Sequence, residues 1–166
     1  AKTMGLDVQA GSFPVILWRM MRSGVFERFP DLTLVGTEVH TGWVPYYLER
    51  FDESVKRNRE DWNLPLLPSE YFRRNIRVGS SAMSRREAEL RHDIGLQTIM
   101  CGSDYPHPEG TWPVTRQMLV EVFRGMPDAE IEAMLGGNAA DFYGFDRAAL
   151  APLAARIGPE RSLFRL

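Results

Sequence analysis

The sequence TIMCGSDYPHPEGTWP (residues 98–113) decides how this chain is interpreted. Its first six residues form a short apolar run with the pattern of a buried strand, and the carboxylic acid Asp104 follows directly. Pro106 and Pro108 then restrict the backbone just beyond that residue. Because ligands of parallel α/β sheets bind where the strands end, this stretch predicts the functional edge of such a sheet.

Two further strand candidates precede this stretch, and helical patterns separate all three. LTLVGTEV (32–39) is mostly apolar with β-branched residues, and IRVGSS (76–81) is the second candidate. Apolar residues recur at helical spacing over Phe13–Phe29, with Ser12 as a possible N-cap. The alternation predicts right-handed β-α-β units, and therefore an α/β fold with about three parallel strands and flanking helices.

Polar residues and glycines mark the predicted ends of the later helices. Ser84 and Glu87 form a capping box, and Gly95 can end the helix that this box starts. Asp128 and Asn138 are predicted N-caps of two further helices. The second half of the chain is therefore expected to be mainly helical around one strand.

The composition is that of a globular domain and excludes several other classes. With 166 residues, 44% of them hydrophobic, the chain can bury a core, and we expect a single domain over residues 1–166. The net charge of -2 comes from interspersed charges, which argues against nucleic acid or an anionic membrane as a partner. No apolar stretch approaches the roughly 20 residues that span a bilayer. Cys101 is the only cysteine, so no disulfide forms within the chain, and a cytoplasmic location is expected.

The candidate functional residues follow the predicted strands. Glu38 and His40 lie two apart, so they project to one face if the strand persists, and one could act as acid or base while the other orients it. Asp104 suits a hard metal ion, or a base acting on a metal-bound water. His107 and Trp112 could line a substrate pocket in the loop beyond.

Each of these residues also has a purely structural interpretation. Asp104 could cap its own loop as an Asx turn. Glu38 could pair with an arginine, and His40 could be a hydrogen-bonded structural residue. His107 could be a solvated loop residue, and Trp112 could serve packing. The spacing of the residues alone leaves these alternatives open.

Five runs together resemble the second half of the amidohydrolase-related family that includes aminocarboxymuconate semialdehyde decarboxylase and related aromatic-acid decarboxylases. In chain order, the runs are GVFERFPDLTLV (24–35), TEVHTGWVPYYLERFD (37–52), LPSEYFRRNIRV (67–78), GSDYPHPEGTWP (102–113) and GGNAADFYGFD (136–146). The resemblance covers roughly residues 13–146. It implies part of a distorted (β/α)8 barrel whose strands six to eight lie in this chain. Beyond the resemblance, the Ala-rich residues 147–166 predict a helical tail.

The resemblance also implies a single divalent metal ion, zinc or manganese, held by a His-x-His pair on strand one, a histidine on strand five and an aspartate on strand eight. Asp104 falls on the strand-eight aspartate. Family members place a histidine at the end of strand six to polarise substrate or activate metal-bound water, and either Glu38 or His40 falls near it. The chain's histidines, His40, His92 and His107, include no His-x-His pair. One aspartate cannot hold such an ion tightly, so this chain alone is not expected to bind it.

Two functions remain open on this basis. In the first, the chain is the C-terminal half of a metal-dependent hydrolase or non-oxidative decarboxylase of a small, aromatic or carboxylated substrate, and is inactive in isolation. In the second, it is a non-catalytic, truncated relative that self-associates or binds a partner. Because a three-stranded parallel sheet has two open edges, a homo-oligomer is expected.

Overall fold

The structure, a computed structural model, describes residues 8–165 and contains a three-stranded parallel sheet in the order β1-β2-β3. The strands are β1 (Leu34–Gly36), β2 (Ile76–Ser81) and β3 (Ile99–Gly102). β1 pairs with β2 in parallel, with Leu34 opposite Ile76. All three predicted strands are present, although β1 is shorter than the apolar run that predicts it.

The described chain forms two compact units that divide between Gly79 and Ser80, within β2. The helices of the first unit are α1 (Val8–Arg22), α2 (Val25–Arg28), α3 (Val44–Arg57) and α4 (Pro68–Asn75). Those of the second are α5 (Arg85–Glu89), α6 (Arg91–Ile94), α7 (Thr115–Phe123), α8 (Asp128–Glu132), α9 (Asn138–Tyr143) and α10 (Arg147–Ile157). The single domain over residues 1–166 stays a prediction.

The helix predicted over Phe13–Phe29 is divided into α1 and α2. Gly24 separates them with a left-handed backbone, at φ 71°. A Cβ at this position would lie 3.2 Å from the Leu64 side chain, so both conformation and space favour glycine. Ser12 is not the N-cap that the sequence predicts, because the helical backbone begins upstream of it, at Val8.

The core of the first unit gathers side chains from its helices and strands. Its buried members include Leu17, Met21, Phe26, Val44, Leu48, Phe72, Ile76 and Val78. Asn75, only 1% exposed, donates from Nδ2 to the carbonyls of Pro30 and Leu32 at 2.8 Å each. Because a buried amide needs hydrogen-bond partners, Asn75 ties the chain just before β1 to the start of β2.

The first helix of the second unit begins with the predicted capping box. Ser84 Oγ accepts from the Glu87 N–H at 3.2 Å, and Glu87 Oε2 accepts from the Ser84 N–H at 2.9 Å. The other carboxylate oxygen of this buried Glu87 lies 3.5 Å from Ser80 Oγ. The helical stretch that follows is divided at Leu90, and Gly95, at φ 110°, ends it as predicted.

Two predicted N-caps of the second unit have other positions. Asp128 is the first residue of α8 rather than its cap. The helical backbone continues through a π-helical turn, Ala133–Gly137, into α9, so Asn138 does not begin a separate helix. Its Nδ2 instead donates to the carbonyls of Leu96 and Ile99 at 2.7 Å each. An asparagine amide therefore holds the start of β3, as another holds the start of β1.

The last helix, α10, begins at a capped turn. Asp146 Oδ1 accepts from the N–H groups of Ala148 and Ala149, at 2.9 and 3.0 Å. These bonds satisfy donors that a helix N-terminus otherwise leaves unpaired. Among all helices formed by residues 8–165, none combines the length and apolar character that crossing a membrane requires.

Candidate active site at the strand ends

The loop after β3 is closed into a turn that carries Asp104. Thr111 donates its N–H to the carbonyl of Ser103 at 2.9 Å, and its hydroxyl donates to the same oxygen at 3.3 Å. Within this closure, the N–H of His107 donates to the carbonyl of Asp104 at 2.8 Å. A Cβ on Gly110 would lie 2.7 Å from the Asp104 carbonyl oxygen, so the backbone passes where only glycine fits.

The Asp104 carboxylate lies beside an imidazole. Its Oδ2 is 3.3 Å from Nδ1 of His107, and the two side chains are 21% and 58% exposed. Main-chain bonds and the Thr111 hydroxyl close the turn, so closure does not require the carboxylate to cap the loop. This half-buried carboxylate, with a solvent-accessible imidazole beside it, can bind a cation or exchange a proton.

The stretch after β1 has a different construction. β1 ends before Glu38, and Glu38 and His40 both have a left-handed backbone, at φ 56° and 52°. The two residues therefore lie outside the strand, and the alternation of side-chain directions that would place them on one face does not apply. Val39, buried between them, donates its N–H to the carbonyl of Gly79 at 3.2 Å and accepts from the Trp43 indole at 2.8 Å. Glu38 is exposed and His40 is half-buried.

Left-handed residues other than glycine mark the end of every strand. Within residues 8–165, they are Glu38 and His40 after β1, Ala82 after β2 and Asp104 after β3, all with φ between 52° and 57°. This conformation costs an ordinary L-residue roughly 1–2 kcal/mol, and strain of this kind clusters at functional sites. The backbone therefore singles out three positions that the sequence also predicts, Glu38, His40 and Asp104, together with Ala82, which the sequence does not predict.

Two exposed aromatic rings belong to the Asp104 loop. Tyr105 and Trp112 are both exposed, and their ring centroids lie 6.1 Å apart in an edge-to-face arrangement. The peptide bonds before Pro106 and Pro113 are cis. Trp112 is a candidate for substrate contact from the sequence. The position of Tyr105 directly after Asp104 places it at the same strand end in the sequence, but assigns it no role.

Cys101, within β3, carries no nucleophilic character. Burial raises the pKa of its thiol to about 12, and the nearby charge of Glu87 adds to the shift. Its Sγ lies 3.7 Å from the thioether sulfur of Met83. Because only the thiolate is a strong nucleophile, this thiol is inert near neutral pH.

The described donors do not complete a metal site. Asp104 and His107 form a pair, but residues 8–165 contain no group of three or more His, Cys, Asp or Glu side chains that could hold a metal ion. A catalytic zinc ion takes three protein ligands and an open position. The pair alone therefore does not fit the ion that the sequence resemblance implies.

The parallel sheet with flanking helices, and the polar residues at its strand ends, define an α/β chain of the (β/α)8 type. The amidohydrolase family model matches residues 14–145, and the chain belongs to this family. The predicted fold, part of a (β/α)8 barrel with about three parallel strands, is confirmed. The family assignment from the sequence is confirmed as well.

Solved structures of related enzymes show the same fold. An amidohydrolase from Mycobacterium avium subsp. paratuberculosis K-10 is 27% identical with a TM-score of 0.68, and the match covers 80% of this chain and 33% of that one. The 5-carboxyvanillate decarboxylase LigW from Sphingomonas paucimobilis is 30% identical with a TM-score of 0.64, covering 78% and 38%. A dihydroxybenzoic acid decarboxylase from Polaromonas sp. JS666, solved with manganese and the inhibitor 2-nitroresorcinol, is 19% identical, with a TM-score of 0.67 and coverage of 84% and 42%. This last likeness concerns the fold alone.

The chain therefore spans a third to less than half of the length of these structures. No curated protein matches the chain.

Proposed function

We propose that this chain is the C-terminal half of a metal-dependent hydrolase or non-oxidative decarboxylase that acts on a small aromatic or carboxylated substrate. The observation that carries the proposal is the Asp104 turn, in which a left-handed backbone and the close approach of Gly110 fix a carboxylate at the end of β3. Support also comes from the amidohydrolase family match and from the 30% identical 5-carboxyvanillate decarboxylase.

The proposed roles follow the position of each side chain. Asp104 supplies one ligand to a zinc or manganese ion, and the remaining ligands come from outside the described residues. His107 and Trp112, both exposed on the same loop, contact the substrate. Either Glu38 or His40 acts as acid or base. Because the described donors do not complete a metal site, the isolated chain is expected to be inactive.

Complementation with the missing ligands tests this proposal. The chain would be co-expressed with the N-terminal part of the 5-carboxyvanillate decarboxylase, as the source of the remaining ligands. Metal content per complex, by plasma mass spectrometry, and carbon dioxide release from 5-carboxyvanillate are the two measurements. We expect about one zinc or manganese ion per complex and release above that of either part alone.

Two isosteric variants of the same loop distinguish metal binding by Asp104 from a general effect of negative charge in the loop. Asp104→Asn should remove both the metal and the activity, because the amide is a poor ligand. Glu109→Gln removes an exposed carboxylate of the same loop and should preserve both. Metal content and activity that survive Asp104→Asn would contradict the assignment.

A second candidate function, self-association without catalysis, is favoured by the surface of α10. Leu150, Leu153 and Ile157 are exposed on this helix at a spacing that places them on one stripe. Light scattering at micromolar concentration tests it. A dimer that Leu153→Glu dissociates, and that Ala155→Glu on the opposite side leaves intact, would support it, whereas a monomer would count against it.

A further inference from the structure

A cavity of about 320 Å³ lies within the second unit, behind the Asp104 turn. Its walls come from the residues that follow β2, from the end of β3 and from α7. Ser103 and Thr111, whose hydrogen bonds close the Asp104 turn, form part of the lining. The volume falls at the lower end of the range of small-molecule sites, about 300–1,000 Å³.

The lining of this cavity contains no charged side chain. It consists of aliphatic, aromatic and sulfur-containing side chains, small residues, one proline and three hydroxyl groups. A carboxylate moved into such surroundings would lose its hydration without gaining a cation, which is strongly unfavourable. The cavity therefore selects for a neutral ligand and excludes an ionised aromatic acid.

Sulfur-containing side chains form one wall of the cavity. Cys101 Sγ and Met83 Sδ lie 3.7 Å apart, and Met118 also lines the cavity. Sulfur contacts with aromatic ring edges are favourable, because the thioether is polarisable. A flat aromatic ring suits this wall better than a flexible aliphatic chain of equal size does.

The hydroxyl groups of the lining can form one hydrogen bond with a ligand. Thr111 Oγ1 lies 3.3 Å from the carbonyl oxygen of Ser103, which can accept its proton. The hydroxyls of Thr111 and Thr115 lie 2.9 Å apart, and either oxygen can donate to the other. In both arrangements a lone pair of the Thr115 hydroxyl remains to accept from a ligand.

We propose that this cavity binds a neutral monocyclic aromatic molecule that carries a hydrogen-bond donor, of the phenol class. The ring occupies the sulfur-lined interior, and its hydroxyl donates to Thr115 Oγ1. Because Ser103 and Thr111 belong both to the cavity and to the closure of the Asp104 turn, a bound phenol also stabilises that turn. The proposal needs neither a metal ion nor catalytic activity, so it stands apart from the proposed function.

Titration of the full chain with phenol, followed by protein-observed NMR, tests the proposal directly. With seven non-hydrogen atoms, phenol should bind with a Kd on the order of 1 mM and shift signals of the lining residues. Benzoate is the matched ligand, of similar size but ionised, and should bind at least about 10-fold more weakly. The absence of saturable phenol binding, or benzoate binding within about twofold of phenol, would overturn the proposal.

A pair of substitutions at Thr115 tests the hydrogen bond without relying on a large change of packing. Thr115→Val removes the hydroxyl and should weaken phenol binding by roughly 3- to 10-fold, while toluene, which has no donor, should bind as before. Thr115→Ser keeps the hydroxyl and should restore phenol binding, which separates the lost hydrogen bond from any loss of folding. Equal phenol affinity in the valine and serine variants would refute the assigned contact.

Discussion

The turn after β3 and the stretch after β1 share a left-handed backbone but are anchored in different ways. The first is closed on itself, since Thr111 binds the carbonyl of Ser103 and the backbone of Gly110 passes against Asp104. The second has one bond from outside, since Val39 donates to Gly79, and one local bond from the Trp43 indole. A turn closed by local bonds keeps its geometry by itself, whereas a stretch that also relies on a bond to β2 depends on that strand. We therefore expect the end of β3 to be the more rigid of the two.

Thiol reactivity should give the largest contrast between the two regions. In the Glu38→Cys chain, the new thiol is exposed, whereas burial raises the pKa of Cys101 to about 12 from an ordinary value of 9.0. At pH 8 the thiolate fraction of Cys101 is then about 1,000-fold lower. Because a thiolate of higher pKa is more nucleophilic, iodoacetamide should modify Cys101 at least about 30-fold more slowly. Peptide mass spectrometry measures both rates in one sample.

The pH dependence of these rates adds a second test of the same contrast. The rate at the introduced thiol should level off above about pH 10, where the thiol is mostly ionised. The rate at Cys101 should keep rising towards pH 12, because its raised pKa delays ionisation. Equal rates at the two sites would show that the end of β3 is as open as the stretch after β1.

Gly110→Ala should produce the largest loss of stability. The added Cβ would lie 2.7 Å from the Asp104 carbonyl and 2.8 Å from that of Ser103, and backbone atoms cannot move aside cheaply. We expect the free energy of unfolding in urea to fall by about 1–3 kcal/mol. Gly136→Ala, with nothing within 4 Å of its Cβ, is the matched control and should change stability by less than about 1 kcal/mol. Similar losses of unfolding free energy in both variants would contradict a tightly closed turn at Gly110.

Trp43→Phe should loosen the stretch after β1 by a smaller amount. It removes the indole N–H that donates to the Val39 carbonyl at 2.8 Å, and a phenyl ring keeps most of the packing. The expected loss is about 0.5–1.5 kcal/mol in the same urea experiment. Trp112→Phe, at an exposed position, should be close to neutral. If the exposed position were the more sensitive one, the anchoring of Val39 would be wrongly assigned.

Relief of backbone strain should give the smallest effect. Glu38→Gly gives the left-handed position the residue that tolerates it best, but also adds freedom to the unfolded chain, so stability should rise by only about 0.5 kcal/mol. Asp104→Gly should not stabilise, because aspartate tolerates this conformation better and its carboxylate lies beside His107. Thermal unfolding of both variants makes the comparison. A stabilised Asp104→Gly chain would mean that the strain lies in the β3 turn instead.

The sequence patterns locate the strands well but not the point where β1 ends. β2 occupies the predicted Ile76–Ser81, where buried and half-buried residues alternate, and the recognisable cap at Ser84 follows. β1 ends early because Glu38 and His40 adopt a left-handed backbone that neither residue type predicts. The sequence therefore identifies the two candidates for the acid or base, but it does not predict the backbone conformation that orients their side chains.

Long-range contacts account for most of what sequence reasoning missed. The local pattern around Asn138 suggests a helix cap, whereas its amide binds carbonyls 42 and 39 residues away. The cavity behind the Asp104 turn likewise joins residues from β3 and α7 that no short window contains. The neighbouring positions of Asp104 and His107, three residues apart, are local and could be anticipated.

The asparagine amides also set an order of events during synthesis of the chain. The carbonyls before β1 are bound by an amide that is added 45 and 43 residues later, at Asn75. The hydrogen bond to the first carbonyl of β3 can form only once Asn138 has been added, which happens after the residues of α8 have been translated. In each unit, the asparagine that binds the start of a strand is therefore translated well after that start. A nascent chain halted before Asn138 contains β3 without the hydrogen bond to its first carbonyl.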